Sequence, residues 1–117
     1  MNIITLTDTM LVVEPQGLDK LWSLTRKLEI PLSHVRGATF DPGANQEPKG
    51  LRAPGLAIPG KWAGTFYKDG DKSFWNVSAP RETVVIELLG EPYARLVLTV
   101  NQPRSVVDAI NTATQAG

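Results

Sequence analysis

The chain contains a single histidine, His34, which is therefore the one candidate for acid or base catalysis by an imidazole. Ser33 or Ser78 would be the nucleophile in such a site, and Asp41 would orient the imidazole. Nothing in the spacing of these residues holds their side chains in a catalytic geometry, which is the first requirement for this chemistry. The sequence therefore predicts no catalytic residue, and we expect the protein not to be an enzyme.

Asp69 and Asp71 flank Gly70, as carboxylate ligands of calcium would. The twelve-residue ligand pattern of a calcium-binding loop is absent, and Asp-Gly is also a strong signal for a tight turn. The chain contains no cysteine, which excludes disulfides and thiolate ligands, and no glycine motif that cradles phosphate. We therefore predict a turn at these residues, with no metal site and no cofactor.

Five of the eight aromatic residues lie on one predicted hairpin, residues 61–77, where they could stack nucleic-acid bases. They are Trp62, Phe66, Tyr67, Phe74 and Trp75. Alternation along a strand places Trp62 and Phe66 on one face and Tyr67 on the other, so we expect at least half of the aromatic residues to be buried in a small core. Basic and acidic residues number 12 each, which leaves no net charge to attract a polyanion. We expect no nucleic-acid binding.

Residues 41–61 contain four prolines and four glycines and have no usable periodicity, which predicts a long loop. Loops of this length inside a compact domain are usually functional. Basic and apolar residues are mixed in it, as on a surface that contacts a partner protein or a lipid head group. The alternative is a loop that packs back over a sheet edge. The candidate binding residues are Lys49, Arg52, Leu56, Ile58, Lys61, Trp62 and Trp75.

At 117 residues the chain predicts one domain, residues 1–117. The first eight residues have neither the basic start nor the apolar run of a signal peptide, and no later stretch has the length of a membrane span. We therefore expect a cytoplasmic protein without a transmembrane segment.

The last third of the chain predicts a strand at residues 83–89, a turn, a strand at 95–100 and a helix from Pro103 to about Thr114. The helix carries an apolar stripe, which we expect to pack against a sheet. The segment before Pro15 predicts two short strands or one bent strand. After it come a predicted short helix at residues 17–26, strands at 27–32 and 33–40, and the aromatic hairpin. The fold class is mainly β with α, with about seven strands.

Five stretches of the chain resemble bacterial pleckstrin-homology-like domains: residues 5–13, 29–35, 60–66 and 84–87, and the helix that begins at Pro103. The resemblance implies two nearly orthogonal antiparallel sheets, which form a seven-stranded, partly open barrel capped by the C-terminal helix. The phosphoinositide-binding branch of that superfamily uses basic residues in and after the loop between its first two strands. Glu29 stands where that pattern requires a base, so phosphoinositide binding does not carry over.

The resemblance implies a binding or assembly module rather than an enzyme. We therefore expect a domain that contacts partner proteins or associates with itself. Val85, Leu89 and Val97 support this expectation, because they lie opposite the predicted core face, where a solvated sheet would be more polar. The alternative is a protein that binds a small ligand or a lipid head group in the mouth of the barrel under residues 41–61.

Overall fold

The computed structural model describes residues 2–15, 27–42, 51–58, 61–68, 70–77 and 82–116, and for residues 51–58, 61–64, 68 and 116 it describes the backbone alone. Within these residues the protein consists of two β-sheets and one long helix. The predicted helix at residues 17–26 lies outside the described residues.

The first sheet contains three antiparallel strands, β1 (Asn2–Leu6), β2 (Met10–Pro15) and β3 (Leu28–Pro31), in the order β1-β2-β3. The alternation predicted for β2 is present, since Leu11 and Val13 are fully buried while their neighbours are partly exposed. A 3₁₀ turn, Leu32–His34, follows β3 and redirects the chain into the second sheet.

The second sheet contains six strands in the order β4-β8-β9-β7-β6-β5. They are β4 (Val35–Phe40), β5 (Leu51–Ile58), β6 (Lys61–Lys68), β7 (Asp71–Val77), β8 (Thr83–Leu88) and β9 (Arg95–Thr99). The helix α1 (Pro103–Ala116) follows this sheet and packs mainly against β4. The predicted hairpins β6–β7 and β8–β9 and the C-terminal helix are confirmed.

The all-antiparallel, seven-stranded arrangement is wrong. Nine strands are present in the described residues, and β7 pairs with β9 in parallel. The parallel pairing arises because β9 inserts between β8 and β7 in the sheet. Strand direction reverses from β7 to β8 and again from β8 to β9, so β7 and β9 run in the same direction. The two sheets do not close into a continuous barrel, because each keeps its own strand order and edges.

The segment at residues 41–61 also differs from its prediction as a loop. Residues 51–58 form β5, which pairs antiparallel with β6 despite containing Pro54 and Gly55. The register shifts between Arg52 and Gly55, so the proline lies at an irregularity of an edge strand, where its missing N–H is tolerated. A sequence full of turn formers therefore conceals a strand.

The main core lies between the two sheets and α1. Phe74 and Leu96 from the large sheet, Leu11 from the small sheet and Ile110 from α1 are all fully buried. Burial of Ile110 confirms that the apolar stripe of the helix covers a sheet. A smaller cluster on the opposite face of the large sheet contains Phe66, Trp75, Val77 and Val97.

Asn2 at the start of β1 joins the two sheets. Its backbone forms a parallel bridge with Val100, and its side-chain Nδ2 donates to the carbonyl oxygens of Asn76, at 3.1 Å, and Thr99, at 2.9 Å. Carbonyls only accept, so the orientation of the Asn2 amide is determined, and its Oδ1 accepts from Asn76 Nδ2 at 2.7 Å. The buried Asn76 Oδ1 has no hydrogen-bond partner among the described residues.

Candidate binding surface

The predicted binding residues converge on one hairpin. Arg52, Leu56 and Ile58 lie on β5, and Lys61 and Trp62 lie at the start of β6, with Ile58 paired to Lys61 and position 57 paired to Trp62. Lys49 lies outside the described residues. The hairpin that carries the binding prediction is therefore an element of the large sheet, whereas a long loop was predicted.

β5 is one edge of the large sheet in the described part of the chain, with β6 as its neighbour. Its second half, residues 55–58, keeps an unbroken register with β6, and we call these residues the edge segment. Along an antiparallel edge, every second residue turns its N–H and C=O groups away from the neighbouring strand. The edge segment therefore offers backbone donors and acceptors to another strand.

The opposite edge of the large sheet, β4, is closed by α1. Asn111 on the helix accepts a hydrogen bond from the Ala38 amide at 2.8 Å through Oδ1, and its Nδ2 donates to the Ala38 carbonyl at 3.0 Å. One side chain thus occupies both backbone groups of an edge residue, as a neighbouring strand would. A partner strand cannot pair with β4 at this position without displacing the helix.

One of the two outer strands of the small sheet, β3, is protected in a different way. It is four residues long, ends at Pro31 and carries a salt bridge between Lys27 and Glu29, with Nζ and Oε1 3.0 Å apart. Short edges with charges and proline discourage strand addition. The hydrogen bond and the charge of Glu29 raise the pKa of Lys27 above its ordinary value of 10.5.

Trp75 does not share the exposed location expected of a binding residue. Its side chain is 6% exposed, its Nε1 donates to Ser73 Oγ at 3.0 Å, and its ring meets Phe66 edge-on with the centroids 5.8 Å apart. β7 is buried on both faces from Ser73 to Val77, so alternation could not separate a core aromatic from a surface one. With Phe66 and Phe74 also buried, three of the hairpin aromatics are enclosed in the protein.

The second apolar face of the large sheet differs in part from its predicted role. Val97 is 1% exposed and Val85 is partly buried against the same cluster, so the protein itself covers most of this face. Leu89, at 65% exposure, is the member of the predicted set that remains accessible. This face therefore gives little support to the idea of a partner.

His34 contacts Glu91, a residue that the sequence analysis did not single out. His34 Nδ1 lies 2.5 Å from Glu91 Oε2, and the His34 carbonyl accepts a hydrogen bond from the Leu89 amide at 2.9 Å. These contacts tie the 3₁₀ turn to the β8–β9 turn. The two residues are 57 positions apart, and no local signal could have paired them.

Asp41, which was considered with His34 as part of a hypothetical catalytic site, follows β4 directly, and its amide donates to the Thr83 carbonyl at 2.9 Å. Within the described residues, no three histidine, aspartate or glutamate side chains are grouped closely enough to hold a metal ion. Asp69, one of the two carboxylates flanking Gly70, lies outside the described residues. What the described residues do offer is the backbone edge at β5.

Comparison with known proteins matches no protein family, no curated protein and no solved structure. None of the described helical segments has the length and apolar character needed to cross a membrane.

Proposed function

We propose that this protein is a non-enzymatic binding module that associates through strand addition at β5, with a second copy of the chain as its first partner. The single observation that supports this is the asymmetry of the large sheet: α1 closes the β4 edge through Asn111, and β5 is left with a neighbour on one side in the described residues. Proteins usually protect both edges.

The sequence of the edge segment suits strand addition. Gly-Leu-Ala-Ile carries no charge, whereas exposed edges that avoid pairing usually carry lysine, another charge or proline. Arg52, Pro54 and the register shift lie in the first half of β5 and limit pairing there. The added strand would thus pair with residues 55–58, by the main-chain recognition that other sheet edges use for extended peptides.

The backbone groups that face outward follow from the hairpin register. Ile58 and Lys61 are paired across two intervening residues, and in such a short hairpin the closing pair exchanges both backbone hydrogen bonds. By alternation, Leu56 also bonds to β6, while Gly55 and Ala57 turn their N–H and C=O groups outward. Two antiparallel copies can then pair Gly55 of one with Ala57 of the other, and the reverse, as a two-fold axis requires.

Charge also favours a second copy over a strongly charged partner. The chain has 12 basic and 12 acidic residues and no formal net charge, so two copies approach each other without long-range repulsion. The pairing is short, and we expect a weak, reversible dimer.

The resemblance to bacterial pleckstrin-homology-like domains remains our proposal for the family, with a cytoplasmic location. The C-terminal helix that packs against a sheet supports it, and the bridge between Asn2 and Val100 supports a partly open barrel. The parallel pairing of β7 with β9 is a departure from the antiparallel sheets that this family implies.

Sedimentation velocity over a range of about 10 to 500 µM tests the proposal, together with hydrogen exchange of residues 55–58 at both ends of the range. We expect a reversible dimer, and slower exchange of the Gly55 and Ala57 amides at high concentration. Ala57→Lys should weaken association about tenfold or more, because it places like charges at the pairing. Ala57→Thr is the matched uncharged control and should associate like the parent protein.

A protein that stays monomeric over the whole range, with exchange at residues 55–58 independent of concentration, would refute self-association. Leu89→Lys places a charge on an exposed residue away from β5. If this variant weakens association as much as Ala57→Lys does, the association is non-specific and does not depend on pairing at β5.

A further inference from the structure

A cleft of about 860 Å³ lies where the β1–β2 turn, the 3₁₀ turn and the end of α1 meet. None of its described lining residues belongs to β5. Thr7, Asp8 and Thr9 contribute one wall, Leu32 and Ser33 a second, and Ala113 and Thr114 a third, with Met10, Pro31 and Val35 completing the lining. Apolar side chains and hydroxyl groups are thus mixed in a space large enough for a small organic molecule.

Four of the backbone amides that line this cleft are already committed. The Thr7 amide donates to the Met10 carbonyl at 2.9 Å, and the Leu32 amide donates to the Thr9 carbonyl at 2.9 Å. The Thr9 and Met10 amides both donate to Thr7 Oγ1, at 3.4 and 3.0 Å. An anion held in a protein cleft needs free N–H groups or basic side chains. These amides cannot supply them.

The same cleft is rich in negative and accepting groups. Asp8 is the one ionisable residue among the described residues that line it. The last turn of α1, which includes Ala113 and Thr114, has carbonyls without helical partners and no basic residue beside them. The Thr114 hydroxyl donates its hydrogen to the Asn111 carbonyl at 3.0 Å, so its oxygen is left as an acceptor.

From this charge pattern we propose that the cleft binds a small organic cation, a protonated amine on an apolar body. The ammonium group would lie between Asp8 and the C-terminal end of α1, where the helix dipole and the carboxylate both favour positive charge. The apolar body would contact Met10, Leu32 and Val35. This site is independent of β5 and of the proposed self-association.

A set of three matched probes tests the proposal: phenethylamine, 2-phenylethanol and phenylacetate, which share an aromatic body and differ in charge. Amide chemical shifts in ¹⁵N-labelled protein are followed during titration of each probe at neutral pH. We expect phenethylamine to bind in the millimolar range, as suits a ligand of this size, with shifts at residues 7–10, 32, 33, 113 and 114. Phenylacetate should bind about tenfold more weakly or not at all.

Asp8→Asn should weaken phenethylamine binding about three- to fivefold, the effect expected of a solvent-accessible ion pair. Asp108→Asn removes the same charge from an exposed residue of α1 that does not line the cleft, and it should leave binding unchanged. The proposal is overturned if phenylacetate binds as tightly as phenethylamine, if no probe shifts the cleft amides at 20 mM, or if the two variants have the same affinity.

Discussion

Replacing Asn2 with alanine should clearly destabilise the protein. The variant loses the two hydrogen bonds from Asn2 Nδ2 to the carbonyls of Asn76 and Thr99, and the one that Asn2 Oδ1 accepts from Asn76. At about 1 kcal/mol each, these bonds contribute about 3 kcal/mol to the free energy of unfolding. For a chain of this size, this corresponds to a fall in Tm of roughly 12 °C.

A further cost arises at Asn76, which is completely buried. Its Oδ1 has no partner among the described residues, so removal of Asn2 leaves the whole side-chain amide of Asn76 unpaired in the core. The double variant Asn2→Ala, Asn76→Ala removes that unpaired amide. We therefore expect it to be less destabilised than the sum of the two single variants, with a coupling energy of about 1 kcal/mol or more.

Urea unfolding followed by tryptophan fluorescence measures these differences, with Asn101→Ala, an exposed asparagine, as the control. The control should change the free energy of unfolding by less than about 0.5 kcal/mol. An Asn2→Ala protein within that margin would refute the conclusion that this side chain joins the two sheets. Strict additivity of the two single variants would refute the energetic coupling between the Asn2 and Asn76 side chains.

Three other outcomes follow from the contacts of the folded chain. Ile110→Ala should lower the free energy of unfolding by about 2 to 5 kcal/mol in urea titrations, because Ile110 is fully buried beneath α1; a loss below about 1 kcal/mol would contradict that position. Asn111→Ala should cost about 1 to 3 kcal/mol and speed hydrogen exchange at Ala38, since both backbone groups of Ala38 lose their partner; unchanged exchange would argue against the closed edge. Lys27→Met should leave the thermal midpoint at neutral pH almost unchanged, because the ion pair with Glu29 is solvent-exposed, and any stabilisation by Lys27 should disappear as the pH rises through its raised pKa, above 10.5. A clear stabilisation that persists in strong alkali would contradict this origin.

Local patterns in the sequence predicted individual strands better than their neighbours. Alternation identified β8 and β9, and helical spacing identified the buried side of α1, because both patterns record which residues avoid water. Alternation does not record which strand lies alongside, so the insertion of β9 next to β7 was missed. Pro54 and Gly55 concealed β5, since an irregular edge strand tolerates residues that a central strand excludes.

The candidate site was predicted to a similar extent. Mixed basic and apolar residues drew attention to the β5–β6 region, which remains a prediction. The burial of Trp75 was missed, because β7 is buried on both faces and alternation cannot reveal this. The partners of His34 and Ala38, namely Glu91 and Asn111, are distant in sequence. Pairings of this kind depend on the complete fold, and a single sequence contains no local record of them.

The two hydrogen bonds between Asn111 and Ala38 have a consequence for the size of any assembly. A sheet with two open borders can add copies at each end and grow without limit, as fibres do. In the described part of this protein, the helix occupies one border of the large sheet, so copies that join through β5 have no second border on which to continue. Growth would therefore stop at the pair, and a single asparagine on the C-terminal helix would set the stoichiometry.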